Sequence, residues 1–187
     1  MDYVEIMTLG DALDFGDLSF SGQGPSATAS PTRGILLGGN NESPLSGMKS
    51  RIEFLTIPTL GNSQNFGDLT QNHFYNITAA SNSTRALAWG GTYPDTSTGT
   101  NIIEFITIAT KGNGVDFGDT TRAVNAAMAT ASSTRSVCYG GNGGGDNIVE
   151  YVNIMTQGNA IDFGDLTVAR AAACLLYTSP SPRDSLE

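Results

Sequence analysis

The sequence predicts an all-β fold built from tandem four-stranded units, and three recurring motifs carry that expectation. An Asn/Asp-Phe-Gly-Asp tetrapeptide occurs four times, with Phe15, Phe66, Phe117 and Phe163 separated by 51, 51 and 46 residues. Twin glycines keep step at Gly38-Gly39, Gly90-Gly91 and Gly140-Gly141, and so do Thr32-Arg33, Thr84-Arg85 and Thr134-Arg135. Self-similarity at this period marks a repeat array, and a unit of about 50 residues suits one four-stranded propeller blade.

The strands follow from the residues of each unit. Residues 147–156 are β-branched and aromatic, too short for a helix and bounded by Gly-rich segments, which reads as a strand. Their apolar side chains fall on both faces, as in a strand sandwiched between neighbouring sheets. Gly158-Asn159 forms a turn pair that tolerates positive φ, and residues 161–166 make a short strand carrying Phe163. One unit earlier, residues 123–131 are Ala-rich and could favour a helix by propensity. The equivalent residues 73–78 favour a strand, and equivalent positions share a structure, so 123–131 is expected to be a small-residue strand. Residues 135–139 are a strand running into Gly140-Gly141. Residues 18–166 are therefore expected to fold as three four-stranded antiparallel sheets, with Phe66, Phe117 and Phe163 buried in their final strands. The polar loops 40–50 and 92–100 differ in length and are expected to project from one face.

This order resembles Kelch repeats: a hydrophobic strand ending in Gly-Gly, an aromatic strand, a short aromatic strand, and a Leu-x-x-x-Arg-like exit at Leu166 to Arg170. The resemblance covers residues 1–173. The chain departs from the family in having Phe where the last strand usually carries Trp, and in a longer gap from Tyr151 to Phe163. It looks closer still to the Asn-x-Ile-x-Tyr…Asp-Phe-Gly-Asp-Leu-Thr arrays of marine bacteriophage structural proteins. These resemblances imply a Kelch-like β-propeller of about three and a half blades in an incomplete ring. They imply a non-enzymatic structural or adhesive module of a phage tail fibre or virion appendage, located on a virion or outside the cell. A bacterial Kelch-type propeller that binds proteins or glycans is the other reading they allow. The partners implied are a protein or glycan surface ligand and further blades of the same full-length chain.

Composition narrows the partners. The formal net charge is −9, and lysine occurs only at Lys49 and Lys111. Nucleic acid and anionic membranes reward clustered basic residues, so neither is an expected partner. No apolar run is long enough for a membrane-spanning helix, and the start, Met1-Asp2-Tyr3-Val4-Glu5, lacks the basic and apolar regions of a signal peptide. A hydrophobic share of 39% supports a packed core despite 23 glycines.

Motifs that could carry chemistry read as structure instead. Asp-Phe-Gly matches the kinase metal-binding tripeptide, but it recurs three times and the other kinase signatures are missing. The glycine run at 143–145 lacks the spacing of a phosphate loop. The lone His73 has no partner histidine, so a His-based metal site or triad is unavailable. No catalytic residue, cofactor or metal site is expected. Asp17, Asp68, Asp119 and Asp165 are expected to cap the amides of their own turns. Asp2, Glu53, Glu104 and Glu150 are expected to pair with the repeating Arg33, Arg85 and Arg135.

Both ends read as cut. Residues 174–187 match no repeat and resemble a translated transposon-end sequencing adaptor, so they are expected to be non-native and to pack poorly. Aligning Asp2 with Glu150 places Met1 one residue into a strand, as expected of a fragment from a longer array. Such a fragment has unpaired sheet edges and an exposed apolar face, and is expected to oligomerise or aggregate.

Overall fold

Strands form where β-branched and aromatic runs alternate with Gly, Asn and Ser punctuation, and the sheets follow that spacing. The computed structural model describes residues 1–19, 24–39, 50–71, 76–92, 98–142 and 145–172. The loop tips within 40–49, 93–97 and 143–144, the segment 72–75 with His73, and the tail 174–187 with Cys174 lie outside the described residues. The fold is all-β, with four antiparallel sheets. Asp2–Tyr3 (β1) and Leu13–Asp14 (β2) make a two-stranded sheet. Ser26–Ala29 (β3), Arg33–Leu37 (β4), Arg51–Thr56 (β5) and Gln64–Asp68 (β6) make the first four-stranded sheet. Thr78–Ser81 (β7), Arg85–Trp89 (β8), Thr100–Thr107 (β9) and Val115–Val124 (β10) make the second. Met128–Ala131 (β11), Arg135–Tyr139 (β12), Ile148–Asn153 (β13) and Ile161–Asp165 (β14) make the third. Each of these three is a simple meander in which every strand pairs with the one before it.

The first hairpin of each four-stranded sheet is set by one side chain. Ser30, Asn82 and Ser132 each accept hydrogen bonds from the amides two and three residues on, at Thr32/Arg33, Thr84/Arg85 and Thr134/Arg135. These are the local turns that Ser and Asn side chains favour. The twin glycines end the second strand with positive φ, at 55° and 108° for Gly90 and Gly91 and 63° and 111° for Gly140 and Gly141. A Cβ on Gly90 would lie 2.4 Å from the Val124 carbonyl oxygen, and one on Gly140 would lie 2.3 Å from that of Arg170. The chain leaving the second and the third sheet passes against that sheet's glycine pair, which requires both the φ and the absent side chain.

The expected strand over 123–131 is not continuous. Ala123 and Val124 finish β10, Ala126 turns with φ 49°, and β11 starts only at Met128. A single strand could not both end one sheet and begin the next, so the chain breaks at the crossing.

Sheets pack face to face through two cores. The first joins Ile35, Leu37, Ile52, Phe54 and Phe66 of the first sheet to Ala86, Ala88 and Ile106 of the second, with Ile108 just beyond β9. The second joins Leu87, Trp89, Ile103 and Phe117 of the second sheet to Cys138, Val152 and the flanking Ile154 and Ala160 of the third. Trp89 is fully buried, and its indole N–H donates to Ser136 Oγ across the junction at 3.1 Å. The first strands β3, β7 and β11, made of small residues, lie side by side. Ser81 Oγ bridges two of them, at 2.6 Å from Thr28 Oγ1 and 2.7 Å from the Ala29 carbonyl.

Phe66 and Phe117 are buried at 4% and 2% exposure, as expected, but Phe163 is 58% exposed. The difference is neighbours rather than sequence. β6 and β10 each face a following sheet, and no described residue follows β14 in that position.

Candidate functional site

The repeated residues converge at the junctions between sheets, and the Phe-Gly dipeptide is the organising element. In each four-stranded sheet the register between the third and fourth strands slips at this point. Asn65 faces Glu53 while Gly67 faces Ile52, leaving Phe66 as the extra residue of a bulge. Phe117 and Phe163 occupy the same place opposite Glu104/Ile103 and Glu150/Val149. A bulge re-aims the side chain of the strand that carries it. Here the Phe ring meets the aromatic of the preceding strand edge-on: Phe54–Phe66 at 6.0 Å, Phe105–Phe117 at 5.9 Å, Tyr151–Phe163 at 5.8 Å and Tyr3–Phe15 at 6.1 Å.

The bulge also exposes backbone that the next unit clasps. The Gly61, Gly112 and Gly158 amides donate to the carbonyls of Phe15, Phe66 and Phe117 at 2.8, 3.0 and 2.8 Å. The side-chain oxygens of Asn62, Asn113 and Asn159 accept from the amides of Asp17, Asp68 and Asp119 at 2.9, 3.1 and 3.0 Å. The amides of Ser63, Gly114 and Ala160 then donate to the carbonyls of those same aspartates. One Gly-Asn turn therefore satisfies three backbone groups of the preceding outer strand. The glycine in the bulge lets the two backbones approach: a Cβ on Gly67 or Gly118 would lie 2.2 or 2.5 Å from the carbonyl oxygen of Gly112 or Gly158.

A buried glutamate completes each junction. Glu53, Glu104 and Glu150 are all essentially inaccessible. Glu53 accepts from Ser63 Oγ at 2.6 Å and from the Ser19 hydroxyl. Glu104 accepts from the Thr70 amide at 2.7 Å. Glu150 accepts from the Thr121 amide and hydroxyl at 2.8 and 2.9 Å and from Arg122 Nη1 at 2.7 Å. Each glutamate thus receives the residue two positions past the preceding unit's Phe-Gly-Asp aspartate. Burial disfavours the ionised form of Glu53, but the Ser19 and Ser63 hydrogen bonds and the charge of Arg51 outweigh it and hold its pKa below the usual carboxylate range. A depressed carboxylate pKa contributes stability that is complete above the unfolded value, about 4.3, and is lost as pH falls through the folded one. Acidification below about pH 4.3 is therefore expected to destabilise the protein. Glu53→Gln is expected to remove part of that slope, read from urea midpoints measured between pH 3 and 7.

The repeating arginines do not pair with these carboxylates, contrary to expectation. Arg33, Arg85 and Arg135 stack over Phe54, Phe105 and Tyr151 with 4.9, 4.5 and 4.7 Å to the ring centroids. Arg33 Nη1 donates to the carbonyls of Ile108 and Ala109 at 2.7 and 3.0 Å, and Arg85 Nη1 donates to that of Ile154 at 3.3 Å. The second strand carries them to the following sheet, while each glutamate faces the preceding one. Turn capping is also reassigned. The first aspartate of the motif, Asp14 or Asp162, accepts from the Gly16 or Gly164 amide at 3.0 or 3.1 Å. Asp17, Asp68 and Asp119 enter the junctions through their backbone groups.

Chemically these junctions hold sheets together. Cys138 is buried with its thiol pKa pushed up to about 12, by burial first and then by the Glu150 charge. A thiol so protonated is a poor nucleophile. Among the described residues no group of three or more His, Cys, Asp or Glu side chains converges as a metal site would require. Three equivalent clefts of about 120, 100 and 160 Å³ lie beside the Gly-Asn turns, with Asn62, Asn113 and Asn159 in their walls. No family model matches the chain, and no curated protein matches it in sequence.

Proposed function

We propose that the chain is part of a β-propeller that serves as a non-enzymatic structural or adhesive module, in the manner of a phage tail fibre or virion appendage. The observation that carries the propeller reading is the stacking of three equivalent four-stranded meanders, with their small-residue first strands side by side and the Phe-bearing last strands of the first two clasped by the following unit. Equivalent sheets repeated in this way give a rigid frame. The polar loops between second and third strands differ in length from unit to unit and supply a variable face for recognition. The buried ionisable groups are committed to holding sheets together, which supports a binding rather than a catalytic role. The virion assignment rests on the resemblance of the Asp-Phe-Gly-Asp-Leu-Thr repeats.

The ligand expected is a cell-surface glycan or protein. Fluorescently labelled protein should stain a panel of intact bacteria in a strain-selective way. Exchanging residues 40–49 and 93–97, within these loops, for Gly-Ser segments should abolish staining while leaving the melting temperature unchanged. Loss of staining after periodate treatment of the cells assigns a glycan, and loss after protease assigns a protein. Absence of staining across the panel, or staining indifferent to the loops, overturns the adhesive reading.

A further inference from the structure

Every junction among the described residues uses two unlike faces, and each face has one further copy that no described residue covers. On the outgoing side, β14 presents the Phe163 carbonyl and the Asp165 amide and carbonyl, the same groups that Gly-Asn turns clasp on Phe15/Asp17, Phe66/Asp68 and Phe117/Asp119. A Cβ on Gly164 would meet no described residue within 4 Å, whereas one on Gly118 would strike the Gly158 backbone. Phe163 is 58% exposed, whereas its counterparts Phe66 and Phe117 are 4% and 2% exposed. Arg135 stacks on Tyr151 as Arg33 and Arg85 stack on their aromatics, yet those two also reach a following sheet.

On the incoming side stands the two-stranded sheet. Its turn Leu9-Gly10-Asp11 is the counterpart of Leu60-Gly61-Asn62, 51 residues on, with a carboxylate oxygen in place of the amide oxygen. Both can accept a backbone N–H. Asp2 occupies the position of Glu53. Ile6 corresponds to Ile57, Ile108 and Ile154. Ile108 and Ile154, each beneath a complete preceding sheet, are 2% and 0% exposed, Ile57, behind the two-stranded sheet, is 41% exposed, and Ile6 itself is 92% exposed.

From this we infer that the chain assembles head to tail with a second copy of itself, β14 of one copy seated against the Leu9-Gly10-Asp11 turn of the next. The Gly10 amide donates to the Phe163 carbonyl, and Asp11 accepts from the Asp165 amide. Arg135 reaches the Ile6 carbonyl, while Phe163 and Ile161 cover Val4 and Ile6. The contact is heterologous, because its two faces differ, so it propagates into a ring or a filament instead of closing as a symmetric pair. The inference rests on the interior junctions and is independent of the adhesive reading.

Complementation between two blocked chains tests it. Phe163→Asp blocks the outgoing face and Ile6→Asp the incoming one. Both side chains are exposed, and fluorescence of the buried Trp89 checks that each variant is folded. Sedimentation velocity of the wild-type chain should show mass rising with concentration through dimers to longer species. Each variant alone should remain monomeric. Mixed in equal amounts, they should form a dimer containing one of each and stop there, because only one pair of intact faces remains. Gly164→Ala, which places a methyl group where the partner's turn would sit, should also prevent assembly. The inference is overturned by a wild-type chain that stays monomeric at every concentration, by either blocked variant assembling as the wild type does, or by a mixture that stays monomeric.

Discussion

Gly118→Ala is expected to cost the protein about 3–5 kcal/mol, combining the strain of a positive-φ alanine with overpacking at a site that cannot relax. Gly118 sits at φ 146°, and its added methyl would lie 2.5 Å from the Gly158 carbonyl oxygen and 2.9 Å from the Asn159 amide nitrogen. The obstruction is backbone fixed by three hydrogen bonds, not the end of a flexible side chain, so relief requires separating the second and third sheets. Gly164→Ala separates the two costs. Its φ is 137°, close to that of Gly118, but no described residue lies within 4 Å of the added atom. Denaturant melts at low protein concentration should show Gly118→Ala losing clearly more than Gly164→Ala. Equal losses would mean that the close approach contributes nothing and that conformation alone fixes glycine there.

Glu150→Ala is expected to destabilise by a comparable amount, about 3–5 kcal/mol, the range for breaking a buried ion pair from one side. Removing the carboxylate strands the Thr121 amide and hydroxyl and takes one of two anionic partners from Arg122, whose side chain is only 15% exposed. At 2–4 °C per kcal/mol for a protein of this size, the melting temperature should fall by about 10 °C. Glu150→Gln keeps an acceptor for the Thr121 amide and should lose less. A Glu150→Ala protein melting within a degree of wild type would show that Asp146 and the Gly140 carbonyl, at 2.9 Å each from Arg122, are sufficient for that junction.

The strand order was legible because its signals are local. Alternation, turn residues and the 46–52-residue period name the strands of each unit, and the meander follows from the short connections. The junction partners were less legible because they are non-local. Asn62, Asn113 and Asn159 recur in register, yet a Gly-Asn pair reads equally well as a plain turn. Only the fold brings each turn against backbone 40 or more residues earlier. The buried glutamates were assigned to the wrong partners for a physical reason. A periodic carboxylate beside a periodic arginine suggests an ion pair, but strands two and three point their charges at opposite neighbours. Residues 123–131 misled because a run of small residues hides a break that only Ala126 φ discloses. Phe163 shows the limit most plainly: its local sequence matches that of Phe117 across Asp-Phe-Gly-Asp, and the exposure of its side chain differs because burial is a property of what stands opposite.

Most of each clasp is main chain: two carbonyl acceptors and two amide donors, supplemented by one asparagine. Hydrogen bonds of that kind do not depend on which side chains evolve around them. A duplicated unit therefore arrives already able to grip the unit before it and be gripped by the one after, with no compensating substitutions. The number of units can then change by gain or loss of a whole unit, lengthening or shortening the array without redesign of the junctions. Exposed residues outside the junction and core positions are meanwhile left free to drift.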